Sequence, residues 1–333
     1  MKQFDDLIAR AKSAPKHIVL AEGQDPRVVD GAVRALQEKI ATITLLGPIE
    51  EVRTLARAAG DAEDQILIID PAQAAKHESY ATEFYELRKH KALNLDAARK
   101  AVKNPLNYAN LMVRTGDADG SVAGARNTTG NVVRSALQVI GVDKRYSMVS
   151  SFFLMMMYED FHSVKGGVVF TDCGLVVSPD ADELAQIASA AADSTRLLLN
   201  VPPKIAMLSF STRGSAKHPD VTKVENAATR LQELRPDLAI ETAIQFDAAF
   251  VPEIADLKAP GSDVAGQANI FVFPDLNSGN IGYKIAERIG RAKAIGPILQ
   301  GLAKPANDLS RGCDAEAVYG MIVVTVVQAQ NAA

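Results

Sequence analysis

The sequence predicts an α/β protein with largely parallel sheets. Three observations carry this. Short apolar runs alternate with stretches whose apolar residues recur at helical spacing. The apolar runs are continuous, as in strands buried on both faces of a parallel sheet. Gly, Pro, Asp and Asn punctuate the joins. At 333 residues the chain is long enough for two domains.

Phe4, Leu7, Ile8 and Ala11 place a helix over 2–13. His17–Ala21 reads as a strand that turns at Glu-Gly-Gln-Asp-Pro, and Asp25 or Pro26 opens the next helix. Strand 40–46, helix 50–59 and strand 65–70 follow. Residues 72–115 read as two or three helices and contain the basic run Arg88-Lys89-His90-Lys91, whose plain reading is a solvated helix face. A strand over 119–124 leads through Asn127-Thr128-Thr129-Gly130-Asn131 into a helix carrying Val132, Val133, Leu137 and Ile140. Small hydroxyl and amide groups at a helix start suit capping and phosphate binding equally.

Beyond this point, 147–157 and 168–172 read as strands, 179–199 as an alanine-rich helix and 204–211 as a strand. A turn at 212–217 precedes a helix over 221–234. Residues 243–250 read as strand, then helix, and 269–273 as strand. Pro274–Lys284 reads as a polar entry to a helix over 285–294. The stretch Gly301–Cys313 reads as a loop delivering Ser310, Arg311 and Cys313 to a last helix that runs to about Gln330. A hydroxyl and a guanidinium at a helix start make an anion site; a capped surface turn is the plainer alternative.

Composition narrows the classes. Net charge is −4 with mixed signs, which gives no nucleic-acid surface. Cys173 and Cys313 make no disulfide framework, and without clustered histidines they make no zinc site, so no metal is expected. The charged, amphipathic start lacks a signal core, and the longest apolar run, 152–158, is too short to span a bilayer, so a soluble cytoplasmic protein without a membrane partner is expected. The 22 glycines never form G-x-G, and no P-loop, H-E-x-x-H or G-x-S-x-G occurs. This leaves polar strand-to-helix loops, which sit where open α/β sheets bind ligands.

Taken together, Leu87–Lys91, Asp117–Gly120, Ala125–Arg134, Val149–Leu154, Ser211–Lys217, Pro274–Lys284 and Gly301–Cys313 resemble the phosphate acetyl/butyryltransferase family, and the acetyltransferases more closely than the butyryltransferases. The resemblance implies two three-layer αβα domains with largely parallel sheets and an interdomain active-site cleft, in the isocitrate/isopropylmalate dehydrogenase-like manner. One domain would be discontinuous, about 1–147 with 297–333, and the other 148–296. It implies a homodimer with no bound cofactor or metal, reversibly transferring an acetyl group between CoA and phosphate by direct thiolate attack in a ternary complex. Small molecules (CoA or acetyl-CoA, acetyl phosphate, phosphate) would be its partners.

By the same resemblance Ser310 stabilises the oxyanion and Arg311 holds the phosphate, while Arg88 and Arg134 bind CoA phosphates. Thr128, Thr129, Asn131, Asn280, Tyr283 and Lys284 are further candidates for the phosphate or acetyl phosphate. Cys313 could suggest an acyl-cysteine, but the family transfers directly; Cys173 reads as a buried structural thiol. One departure matters. The family's acidic base stands seven positions after the serine, and here that position is Ala317. Asp314 lies about 60° from the 317 direction and Glu316 about 100° away, with the longer reach. Both stay open as replacements. So do an altered acyl preference and a catalytically weak CoA- or acetyl-phosphate-binding regulator.

Overall fold

A computed structural model describes residues 2–162 and 164–332. The chain forms two compact units, one of Asp5–Lys144 with residues 302–332, the other of Arg145–Gly301 with residues 2–4.

The first unit follows α1 (Lys2–Ser13) with β1 (Lys16–Leu20), α2 (Pro26–Gln37), β2 (Ala41–Leu46), α3 (Ile49–Ala58) and β3 (Leu67–Ile69). Residues 72–115 hold three helices, α4 (His77–Arg88), α5 (Leu95–Val102) and α6 (Pro105–Thr115), with a 3-10 turn at Lys89–Lys91. Then come β4 (Gly120–Ala123) and α7 (Thr129–Val139). The helix starts are set locally. Asp25, Asn94, Asn104 and Thr128 each cap a helix with a side-chain oxygen, and Pro26 and Pro105 occupy the first turn where no N–H is needed.

The second unit holds β5 (Ser150–Met157), β6 (Gly166–Thr171), α8 (Ala181–Leu199), β7 (Lys204–Leu208), α9 (Pro219–Leu234), β8 (Ala239–Ile244), α10 (Phe246–Phe250), α11 (Pro252–Lys258), β9 (Ile270–Val272), α12 (Leu276–Arg288) and β10 (Lys293–Gln300). Its sheet runs β10-β5-β6-β9-β7-β8. The pairs from β6 to β8 are parallel, whereas β5 is antiparallel to both neighbours, so this sheet is mixed. Three assignments change here. The strand before residue 245 starts earlier than predicted, at Ala239, and the helix expected after it covers 246–250, with Phe246 and Phe250 stacked one turn apart. Pro274–Lys284 is mostly helix, because Asp275 caps the Ser278 N–H at 2.8 Å and starts α12 there. Residues 293–300 form an edge strand, a position that tolerates Pro297.

The chain then returns to the first unit with β11 (Ala306–Asp308), a short strand inside the predicted loop, and α13 (Ala315–Gln330). The completed sheet is wholly parallel, in the order β11-β4-β1-β2-β3. Val19, Ala21, Leu46, Ala123 and Ala306 pack into the core formed with α4–α7. The helix α13 is apolar nearly all round, buried from Val318 to Val327, and packs on α2, β1 and β4. Gly31 permits that approach, since a Cβ there would lie 2.8 Å from Val318. Asn307 Nδ2 donates to Thr325 Oγ1 (2.9 Å) and Gln328 Oε1 (2.7 Å), fastening β11 to α13. Among the described residues no helix is long and apolar enough to cross a membrane.

Candidate active site

In the first unit β11, β4 and β1 are neighbours, so their carboxyl-end turns converge: 21–25, 124–128 and 309–314. Two side chains bind these turns into one piece. The Glu22 carboxylate, buried after β1, accepts the main-chain N–H groups of Gly124 (2.9 Å), Ala125 (2.7 Å), Arg126 (3.0 Å) and Asn127 (2.8 Å), and the Asn127 amide (2.8 Å). Charge-assisted bonds of this kind are stronger than neutral ones.

Arg27 acts from the first turn of α2. Its Nη1 donates to the carbonyls of Arg311 and Cys313, both at 2.9 Å, and Nη2 to the carbonyl of Ala125 at 3.0 Å. Nε and Nη2 also grip Asp25 at 3.0 and 2.8 Å, which holds the Asp25 carboxyl below its ordinary range.

On this frame Ser310 and Arg311 are exposed. Ser310 Oγ accepts the Gly312 N–H at 3.3 Å, and its carbonyl accepts the Cys313 N–H at 2.9 Å. Among the described residues the Arg311 guanidinium makes no hydrogen bond or ion pair, although its carbonyl is clamped. Thr128 Oγ1 caps α7 by accepting the Asn131 N–H at 3.3 Å, and Asn131 Oδ1 accepts from Arg134 at 3.3 Å. Arg88, half-buried at the end of α4, makes no hydrogen bond or ion pair among the described residues, while neighbouring Lys89 pairs with Glu86.

The two carboxylates near Ala317 are already employed. Asp314 caps α13, accepting the Ala317 N–H at 2.8 Å. Glu316 pairs with Arg34, whose guanidinium lies 3.8 Å from the Tyr319 ring centre. Burial pushes the Cys313 thiol up to about 11, which leaves little thiolate at neutral pH. Cys173 is buried, as expected.

Asn280, Tyr283 and Lys284 belong to the second unit, on α12. Asn280 Nδ2 donates to the Cys173 carbonyl at 3.0 Å, and Lys284 donates to Asn280 Oδ1 at 2.7 Å. Tyr283 is 8% exposed, stacked on Phe153 at 3.9 Å between ring centres. These three groups thus have partners within their own unit.

A family model described as phosphate acetyl/butaryl transferase matches residues 3–326. The chain belongs to that family. The phosphate acetyltransferase of Acetivibrio thermocellus is 46% identical over 331 residues, covering 99% of each chain. That of Clostridium acetobutylicum is 46% identical over 321 residues, covering 96% of each. A solved phosphotransacetylase from Streptococcus pyogenes is similar in structure, with TM-score 0.91, 46% identity, and coverage of 99% of this chain and 98% of that one.

In this acetyl/butaryl transferase family member the sequence alone does not mark Glu22, Arg27 and Asp308. Glu22 stands in a strand-to-helix turn of the kind already singled out and Arg27 in the helix that follows it, but their partners in the other two turns lie roughly 100 to 290 positions away in the sequence. Asp308 falls inside the matched Gly301–Cys313 stretch, where nothing local marks it as buried.

Proposed function

We propose that the chain is a phosphate acetyltransferase: acetyl-CoA + phosphate = acetyl phosphate + CoA. One observation carries the reading. An exposed Arg311 guanidinium, with no hydrogen bond or ion pair among the described residues, stands beside an exposed Ser310 hydroxyl on a loop held by Arg27. In the thioester-forming direction Arg311 holds the phosphate end of acetyl phosphate through its planar fork, which a lysine cannot supply. The thiolate attacks the acyl carbon. Ser310 Oγ donates to the tetrahedral oxyanion, and phosphate leaves on Arg311; an oxyanion donor of this kind is worth roughly 100- to 1000-fold. Arg88 and Arg134 take the CoA phosphates, with Thr128, Thr129 and Asn131 nearer the acetyl phosphate.

The finer parts rest on the family resemblance. They are a cleft between two αβα domains, with boundaries near 147 and 297, arranged as in isocitrate/isopropylmalate dehydrogenases. Asn280, Tyr283 and Lys284 would contribute to it from the second domain. A cytoplasmic homodimer without a bound cofactor completes the reading. Thioester formation from CoA and acetyl phosphate tests it, with wild type measured beside Ala317→Asp. Robust wild-type turnover is expected. Feeble turnover rescued by the aspartate would point to a lapsed active site and a binding role.

A further inference from the structure

Among the described residues, the only buried side-chain polar atoms without a hydrogen bond are the two carboxyl oxygens of Asp308. The residue is 0% exposed. A carboxyl left so is costly and calls for a cause. Its place is built on purpose. Gly124 has φ +111°, and a Cβ there would lie 2.2 Å from Asp308 Oδ1, so only glycine leaves room. The nearby Leu309 N–H is spent on the Ala123 carbonyl at 2.7 Å. Asp308 ends β11, two residues before Ser310, and the Thr129 hydroxyl at the start of α7 faces it without closing a hydrogen bond of good geometry.

Resting on the acetyl-transfer reading, we infer that Asp308 is the final acceptor of the proton released by the CoA thiol, reached through the Thr129 hydroxyl. The S–H bond breaks as its proton passes to Thr129 Oγ1, and the hydroxyl's own proton passes to an Asp308 oxygen. The sulfur electron pair forms the C–S bond. The acyl C–O bond breaks, and its pair leaves with phosphate. Asp308 thereby fills the role for which Ala317 has no group, while Asp314 stays committed to capping α13 and Glu316 to Arg34.

Burial, with like-charged Glu22 acting across the turn, holds the Asp308 carboxyl up at about 7, against a smaller lowering from the Thr129 hydroxyl that faces it. A base is most effective with a pKa near the working pH.

The test is kcat against pH for thioester formation in wild type, Asp308→Asn, Thr129→Val and Thr129→Ser. Wild type should lose activity as pH falls below about 7. Asp308→Asn and Thr129→Val should each lower kcat about 100-fold or more and abolish that acid limb, and Thr129→Ser should keep it. The Thr129 pair keeps the test decisive if Asp308→Asn misfolds. A Thr129→Val enzyme with raised KM for acetyl phosphate but an unmoved acid limb would make Thr129 a phosphate ligand only and overturn the relay. A folded Asp308→Asn enzyme with kcat within threefold of wild type would overturn it too. A wild type without turnover would instead overturn the acetyl-transfer reading, and this inference with it.

Discussion

The Arg27 guanidinium donates to the main-chain carbonyl of Arg311 at 2.9 Å, across 284 positions of sequence. One arginine is a strut, and the other's guanidinium makes no hydrogen bond or ion pair among the described residues. The loop that presents this exposed cation has its backbone held from beneath. Arg27 does this with five hydrogen bonds, to Asp25, Ala125, Arg311 and Cys313.

Arg27→Lys keeps the charge and loses the fork. We expect a loss of about 1.5–3 kcal/mol in stability, the range for hydrogen bonds to charged groups. A fall in kcat of about 10- to 100-fold should accompany it as Ser310 and Arg311 lose register. Urea unfolding and turnover check both. Unchanged kcat would mean that the loop holds its shape unaided.

Arg311→Ala should abolish phosphate-dependent turnover while CoA binding, followed by calorimetry, survives. Arg311→Lys should recover only a small part, because a point charge cannot bind bidentately. Near-normal turnover in the alanine variant would remove the centre of the mechanism.

Arg88→Ala and Arg134→Ala should raise the KM for CoA more than that for acetyl phosphate. Equal effects on both would argue against contact with CoA phosphates.

Asp308 also predicts how stability varies with pH. Its carboxyl sits at about 7 in the folded chain, against about 3.9 unfolded. A raised folded value means that its contribution is fully present below pH 4. It is lost as pH rises towards 7, and flat above that. The full span is about 4 kcal/mol, at about 1.4 per pH unit. Asp308→Asn should remove this slope from the difference in unfolding free energy between pH 4 and 8. Parallel curves for the two proteins would show that Asp308 is ionised in the folded state throughout.

Cys313→Ser should keep most turnover, and Cys313 should react slowly with iodoacetamide at pH 8, since its thiol lies at about 11. A dead serine variant with intact folding would revive an acyl-cysteine pathway.

The alternation of apolar runs with helical periodicity determined the α/β class and nearly every element of the first unit, because burial on both faces of a parallel strand leaves a continuous apolar signature. Ser310, Arg311 and their helix start were legible because a loop residue's chemistry is written in its type. The edge strand 293–300 and the short strand 306–308 were not legible, because too few residues carry a period and neighbouring strands supply the pairing. Nor was the early start of α12, where a single cap outweighs a polar sequence. Only tertiary structure decided what each charged group does. Glu22, Arg27 and Asp308 are all charged residues at the ends of strands or the start of a helix, yet one accepts five N–H groups, one donates five, and one has neither carboxyl oxygen hydrogen-bonded among the described residues. That difference arises where the adjacent strands β11, β4 and β1 end together, and a carboxyl's desolvation and partners depend on neighbours that the linear chain holds far apart.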